Sequence, residues 1–399
     1  MNPSNILAMD GGNGFNTASI LTGLQKQLTP DPSATNFLNG IDLFAGTSDG
    51  GINALFLAAH QDPTAALADI DSFWQSILKD MNPCASAFPG SLLLAFMGQK
   101  SILSSKPMEE TFIEFFGQDT TLDDLEHPVL IVSFKLDNER EHNRRWVPKY
   151  FSNWGPHATG SEKVVDVALR TSALPIEMPI YQGMDQEGPG YVDGGMVANN
   201  PSMCAIAQLI EASERDGVSV GELLGEMSLL SIGTGRNVIG DTVFLDPDFH
   251  DGRASWGYSQ WLFDASRPLL LVDLMLQAAV EAVSKQCHQI LRKSFFRAQP
   301  TLEKGLVPDD PATTELLKEV ILWMRSVGWI PRAKAGRKAR TSRTSAAETA
   351  AKKSTPKKAT ARKTATKKAT AKKATAEEKE STTQETPPSS ESSSTASED

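Results

Sequence analysis

The chain has 399 residues, 40% of them hydrophobic and 22% charged, which allows a large buried core and excludes a wholly disordered, collagen-like or fibrous protein. Three cysteines, Cys84, Cys204 and Cys287, are too few for a disulfide-stapled secreted scaffold and too scattered for a zinc site. The net charge of −10 is unevenly spread: residues 1–331 hold 22 Lys+Arg against 41 Asp+Glu, and residues 332–399 hold 17 against 8.

The N-terminal stretch MNPSNILAMDGG has no Lys or Arg before its short apolar run, and Asp10 interrupts it. That is unlike a signal peptide. The longest apolar runs, Ser91–Met97 and Leu269–Leu276, fall far short of the roughly 20 residues that span a bilayer. The expectation is a soluble cytoplasmic protein, peripheral at membranes where its substrate requires it.

In chain order, Ile6–Met9 is a short apolar run ending in Asp10-Gly11-Gly12, as a buried strand running into a loop does. Thr17–Leu28 carries Ile20, Leu21, Leu24 and Leu28 at helical spacing. Ile41–Ala45 reads as a second buried strand, and Gly50–His60 and Ala65–Leu78 as helices. Residues 81–108, rich in Pro, Ser and Gly around Leu92–Met97, read as an insertion or lid. Val129–Leu136 is strand-like, Glu162–Arg170 helical, and Tyr191–Val192 a short strand before Asp193-Gly194-Gly195. Pro201–Ser213 is a helix with proline in its first turn. Met227–Ile232 is a strand ending in Gly233-Thr234-Gly235, and Leu269–Phe296 and Thr314–Trp329 are helices. The alternation predicts a three-layer α/β/α fold with a mainly parallel central sheet. In such sheets sites form at the carboxyl ends of the strands. Three glycine-rich loops fall there: residues 10–14, 46–51 and 193–195.

Gly46-Thr47-Ser48-Asp49-Gly50-Gly51 follows a predicted strand and precedes a predicted helix, the context of a Gly-x-Ser-x-Gly nucleophile turn. Serine on such a turn projects its hydroxyl from the sheet, and Gly46 and Gly50 relieve the crowding. The helix that follows aims its N-terminal amides at a developing oxyanion. Asp49 beside the nucleophile would oppose that charge, so it is expected to point away. Asp10-Gly11-Gly12-Asn13-Gly14 can supply converging backbone N–H groups for an oxyanion hole. The spacing does not fit a dinucleotide-binding Gly-x-Gly-x-x-Gly, and no Walker lysine follows.

None of the six histidines (His60, His127, His142, His157, His250, His288) lies in a loop after a late strand, where a Ser–Asp–His triad would place it. Asp193 ends a strand and precedes two glycines. A partly buried aspartate within hydrogen-bond reach can serve as general base to a serine, although Asp-Gly is also ordinary turn chemistry.

Taken in order, Asp10–Gly14, Gly46–Gly51 and Asp193–Gly195 resemble the motifs of the patatin-like phospholipase family. Thr171-Ser172-Ala173-Leu174-Pro175, the block Tyr191–Pro201 with its trailing Asn-Pro, and Leu230–Gly235 are also similar to that family. The resemblance runs from about residue 5 to 236, within a domain expected over 1–330. It implies a lipid acyl hydrolase acting on phospholipid or neutral ester. Ser48 would be the nucleophile and Asp193 the base, acting through an acyl-serine intermediate. The amides of Gly11, Gly12, Asn13 and Gly14 would form the oxyanion hole, with no metal or cofactor. The loop departs from the family's Asp-Gly-Gly-Gly-x-Arg-Gly. Asn13 replaces the third glycine, Phe15 the arginine and Asn16 the last glycine. Asn tolerates a left-handed backbone, which keeps the loop available. The missing cation is expected to weaken anion stabilisation or to move the substrate toward neutral esters.

Residues 331–399 are expected to form a disordered tail. Residues 332–376 contain 16 basic residues and one acid, Glu348, built on Lys-Lys-Ala-Thr units, and no large apolar residue follows Pro331. The rest is acidic and Ser-rich. The composition resembles the tails of linker histones and bacterial histone-like proteins. It implies binding to nucleic acid, polyphosphate or an anionic membrane by counterion release, beside the plainer reading of a solvated tether that aids solubility. Two other classes stand beside the enzyme: a patatin-fold protein that binds lipid without turnover, and an adaptor tethered to a polyanion by the tail.

Overall fold

A computed structural model of the chain describes residues 5–86, 101–237, 257–262, 270–302 and 311–331. Nine strands lie in these residues: β1 (Asn5–Met9), β2 (Leu43–Thr47), β3 (Val129–Lys135), β4 (Val147–Ser152), β5 (Tyr191–Asp193), β6 (Ser228–Ile232), β7 (Arg236–Asn237), β8 (Phe295–Ala298) and β9 (Thr301–Leu302). The main sheet runs β4-β3-β2-β1-β6-β8, with β5 also beside β3, and β7 and β9 form a separate two-stranded pair. β1 to β3, β6 and β8 are mutually parallel, while β4 and β5 run antiparallel to β3.

The central strands are apolar on both faces because both faces are covered. Leu7 and Met9 of β1, Phe44 of β2, Val129 and Ile131 of β3 and Leu230 and Ile232 of β6 belong to one core. That core is closed by the helices α1 (Gly14–Leu28), α2 (Asp49–Ala58), α3 (Ile70–Ser86), α4 (Lys106–Phe116), α5 (Val164–Thr171) and, late in the described residues, Pro311–Val327. Ile6, Ala8, Leu43, Ala45, Leu130 and Leu229 point the other way, under α6 (Ser202–Arg215) and α7 (Leu270–Leu291). The result is the expected mixed, mostly parallel sheet between two helical layers.

Register places the site. Met9 pairs with Gly46 and with Ile232, and Thr47 pairs with Val132. Loops 10–14, 48–51 and 233–235 therefore leave the sheet side by side at its carboxyl end. Ser133, one residue beyond Val132, pairs with Asp193. That brings Asp193 next to the turn after β2, although 145 residues separate it from Ser48.

Several elements differ from the expectation. The helix expected over 269–296 ends at Leu291. Arg292 adopts φ 51, the chain turns, and Phe295–Ala298 becomes β8 beside β6. The aromatic pair Phe295-Phe296 had read as a continuation of the helix, because periodicity does not separate a short buried strand from a helical end. The helix expected over 65–78 is a short turn at Pro63–Ala66 followed by α3. The expected insertion spans the end of α3 and the start of α4, and its centre, with the apolar run Ser91–Met97, lies outside the described residues. So does the tail from 332 onward. Among the described residues, no helix is long and apolar enough to cross a membrane.

Candidate active site

Ser48 occupies a turn that most residues avoid. Its φ is 53 and ψ −128, and a non-glycine residue held there stores strain. The surrounding packing enforces it. A Cβ on Gly46 would lie 2.3 Å from the Gly50 carbonyl oxygen, and one on Gly50 would lie 2.3 Å from the Met9 carbonyl oxygen. Both obstacles are backbone, so only glycine lets β2 turn into α2 this closely to β1. The Ser48 amide donates to Thr171 Oγ1 at 2.8 Å, and Thr171 donates in turn to the Val132 carbonyl at 2.5 Å. Thr47 Oγ1 is bonded to the Ala198 carbonyl at 2.8 Å. The turn is thus tied to β3, to α5 and to the segment after Asp193.

Ser48 Oγ donates to Asp193 Oδ2 at 2.6 Å. The other oxygen, Oδ1, accepts from the Gly195 amide at 2.6 Å, and the Asp193 amide is bonded to the Ala173 carbonyl at 2.9 Å. Gly194 is needed for this approach, since a Cβ there would lie 2.1 Å from the Val132 carbonyl oxygen. Burial pushes the Asp193 carboxyl up to about 7. The bonds from Ser48 and Gly195 oppose the shift, and Glu177 adds to it. A carboxylate in that range is matched to proton transfer near neutral pH.

The loop after β1 curls over the same point, and its amides are not equivalent. The Gly11 N–H donates to the Asn199 carbonyl at 3.0 Å, and Asn199 Nδ2 returns a bond to the Gly11 carbonyl at 3.2 Å. The Gly14 N–H donates to Asp49 Oδ2 at 3.1 Å, and its carbonyl accepts from Asn53 Nδ2 at 2.9 Å. Asn53 is held by Trp74 Nε1 at 2.8 Å. Among the described residues, the Gly12 and Asn13 amides have no acceptor. Of the four amides expected to form an oxyanion hole, those of Gly11 and Gly14 are engaged in holding the loop.

The departures from the family's loop pattern find their own places. Gly12, with φ +128, takes the unusual backbone. Asn13 is extended, caps α1, and accepts from the Asn16 amide at 3.0 Å. Its role is therefore that of a helix cap, not of a residue tolerating a left-handed turn. Asn16 Nδ2 bonds the Thr234 carbonyl at 2.8 Å, and Phe15 packs against the core. Asp49 does not point away into solvent. It is half-buried between the turn after β2 and the loop after β1, and desolvation pushes its carboxyl up to about 7, with the Gly14 amide opposing and Asp193 and Glu177 adding to the shift.

Ser48, Asp193 and the loop open on a cavity of about 300 Å³. Its polar floor includes Asp10, Gly11 and Gly12, and its walls include Ile77, Leu103, Leu174, Met178, Leu276 and Val280. The lining is mixed, because Glu177, Asp273, Gln277 and Gln299 stand among these apolar side chains. No histidine lines the cavity among the described residues. His60 instead meets the Phe56 carbonyl and His157 meets Glu211.

Sequence reasoning missed Thr171, Asn199, Asn53 and Arg297 as parts of this site. Thr171 and Asn199 stood within the stretches that carried the family resemblance, and their bonding to Ser48 and Gly11 explains what those stretches do. Arg297 gives no signal, because the first half of its strand reads as the end of a helix and the rest is too short to read as a strand.

The model of the patatin-like phospholipase family matches residues 7–206. The chain is 27% identical over 272 residues to the cGAMP-activated phospholipase of Vibrio cholerae, covering 65% of this chain and 72% of that one. It is 29% identical over 324 residues to the cGAMP-activated phospholipase of Pseudomonas aeruginosa, covering 79% and 80%. It is 28% identical over 306 residues to patatin-like protein 2 of Oryza sativa subsp. indica, covering 70% of each. With the family's span laid over β1, the serine turn, Asp193 and the Asn-Pro segment, this chain belongs to the patatin-like phospholipase family.

Proposed function

We propose that this protein is a lipid acyl hydrolase that works through a Ser48–Asp193 dyad. The single observation that carries the reading is the 2.6 Å hydrogen bond from Ser48 Oγ to Asp193 Oδ2, made at a strained turn that opens on a cavity with apolar side chains on part of its wall. As Ser48 Oγ attacks the ester carbonyl, its proton passes to Asp193 Oδ2. The carbonyl oxygen becomes an oxyanion that accepts from the Gly12 and Asn13 amides, helped by the N-terminal end of α2. Collapse breaks the bond to the alcohol, which takes the proton from Asp193 and leaves. Water then attacks acyl-Ser48, Asp193 takes its proton, and the fatty acid departs as Ser48 recovers its own. The substrate class is a glycerophospholipid or neutral lipid ester met at a membrane surface. The basic segment 332–376 supplies affinity for anionic lipid or nucleic acid.

The names of the bacterial relatives make cGAMP the first activator to supply. The test is release of fatty acid from phosphatidylcholine, phosphatidylglycerol and diacylglycerol vesicles, with and without cGAMP. Wild type is compared with Ser48→Ala, Asp193→Ala and a chain ending at residue 331. Hydrolysis that vanishes in both point variants supports the enzyme, and its persistence in the shortened chain assigns the chemistry to the body. Binding of lipid by folded wild type with no release under any condition would move the protein to the non-hydrolytic, lipid-binding class.

A further inference from the structure

Arg297 lies on β8, the edge strand next to β6. Its guanidinium grips Asp10 with both arms: Nη1 donates to Oδ1 at 2.8 Å and Nη2 to Oδ2 at 2.5 Å. The same group donates to Ser231 Oγ at 2.8 Å and to Gln299 Oε1 at 2.6 Å. The Asp10 side chain is 3% exposed and that of Arg297 15%. Asp10 is the root of the oxyanion loop, and its amide is fixed to the Ile232 carbonyl at 3.0 Å. Gly233 makes room for the arrangement. A Cβ there would lie 1.6 Å from Gln299 Oε1 and 2.5 Å from Arg297 Nη2. Asp10, Arg297 and Ser48 all border the same cavity.

We propose that Arg297 is the positioning residue of the oxyanion loop: it neutralises Asp10 and pins the loop's root, so that the Gly12 and Asn13 amides meet the developing oxyanion. It thereby brings a cation from β8 to a loop whose own cationic position holds Phe15. The inference rests on the reading of Ser48 as nucleophile.

The physical reason is charge placement. An ionised Asp10 without a partner would stand two and three residues from the donor amides and oppose the negative charge they must stabilise. Burial already pushes the Asp10 carboxyl up, and the Arg297 guanidinium is the group that opposes the shift. Without the arginine, Asp10 either protonates and lets the loop root go, or stays charged against the reaction. A bidentate guanidinium does both jobs, since it fixes direction as well as charge.

The test uses the full chain as wild type, Arg297→Lys, Arg297→Ala and the neutral pair Asp10→Asn/Arg297→Gln. Two readouts are taken: the rate at which a fluorophosphonate captures Ser48, and hydrogen exchange in the peptide covering residues 10–16. In Arg297→Ala, capture is expected to slow about 100-fold, the order of loss for a small misplacement of reacting groups. Exchange should rise within residues 10–16 and not in the central strands, and millimolar guanidinium should restore part of the capture rate. Arg297→Lys should fall between. Should Arg297→Ala not fold, the neutral pair decides, because it leaves no lone buried charge; slow capture with fast loop exchange supports the proposal. Wild-type capture and exchange in either folded variant overturns it. So does a loss of capture that tracks thermal stability alone and ignores guanidinium. If wild type itself captures no probe, the nucleophile reading falls. Exchange then decides alone: a rise confined to 10–16 upholds the anchoring, and no change overturns it.

Discussion

Asp49 Oδ2 accepts from the Gly14 amide at 3.1 Å, so the residue next to Ser48 holds the far end of the loop that follows β1. One carboxylate links α2 to the start of α1 across the site. Its partner Gly14 admits no side chain, because a Cβ there would lie 2.1 Å from the Trp74 ring. The link explains why a carboxyl group is tolerated beside Ser48. Burial raises it to about 7, so near neutral pH a large fraction is uncharged.

Replacement Asp49→Asn keeps an oxygen for the Gly14 amide and removes the charge. A carboxyl raised on folding binds its proton more tightly in the folded state, so stability falls as pH rises from the ordinary range near 4 toward about 7. The variant escapes that loss. Its melting temperature should therefore exceed that of wild type by a margin that grows from pH 5 to pH 7 and levels off above. A margin independent of pH would contradict the raised carboxyl. Asp193 should also ionise at lower pH in the variant, because a neighbouring negative charge has gone.

Thr171→Val keeps the shape of the side chain and removes its oxygen. The Ser48 amide then loses its acceptor at a backbone position that is already strained. The expected cost is about 1–3 kcal/mol of stability, read by urea unfolding, with a slower capture of Ser48. Thr171→Ser should recover most of both.

Gly46→Ala places a methyl group against the Gly50 carbonyl, which is backbone and cannot swing aside. Destabilisation of about 1–3 kcal/mol or more is expected, and activity should fall further than stability alone explains. Gly221→Ala is the control, since a Cβ there meets nothing within 4 Å. Gly221 lies in the first turn of the helix Val220–Glu226, so the variant's melting temperature should match or slightly exceed that of wild type, alanine leaving the unfolded chain less freedom to lose.

The sheet's centre was legible because β1, β2, β3 and β6 are short apolar runs that each end in a glycine-rich or polar break. The two groups Ser48 and Asp193 were legible for the same reason, each sitting at such a break. What the sequence does not carry is pairing between distant segments. Arg297 reaches Asp10 across 287 positions, and its strand is four residues attached to the end of a 22-residue helix. β4 was missed because only its last two residues are fully buried and Pro148 interrupts it. Asp49 was misjudged because local charge reasoning counted the oxyanion and not the Gly14 amide on the opposite loop. Asn13 was read by its tolerance of left-handed backbone, whereas Gly12 takes that conformation and Asn13 caps the helix.

The central claim is that Asp193 is the base for Ser48. Its most direct test is mass spectrometry of fluorophosphonate-labelled protein, taken as a rate between pH 5 and 9 for wild type, Ser48→Ala and Asp193→Asn. The account predicts a label on Ser48 in wild type, formed faster as pH rises and with its midpoint near 7, where burial places the Asp193 carboxyl. Ser48→Ala should take no label, and Asp193→Asn should lose at least about 100-fold in rate together with the pH dependence. A label on Ser48 that forms at the same rate in Asp193→Asn, or a label on another residue, would contradict it.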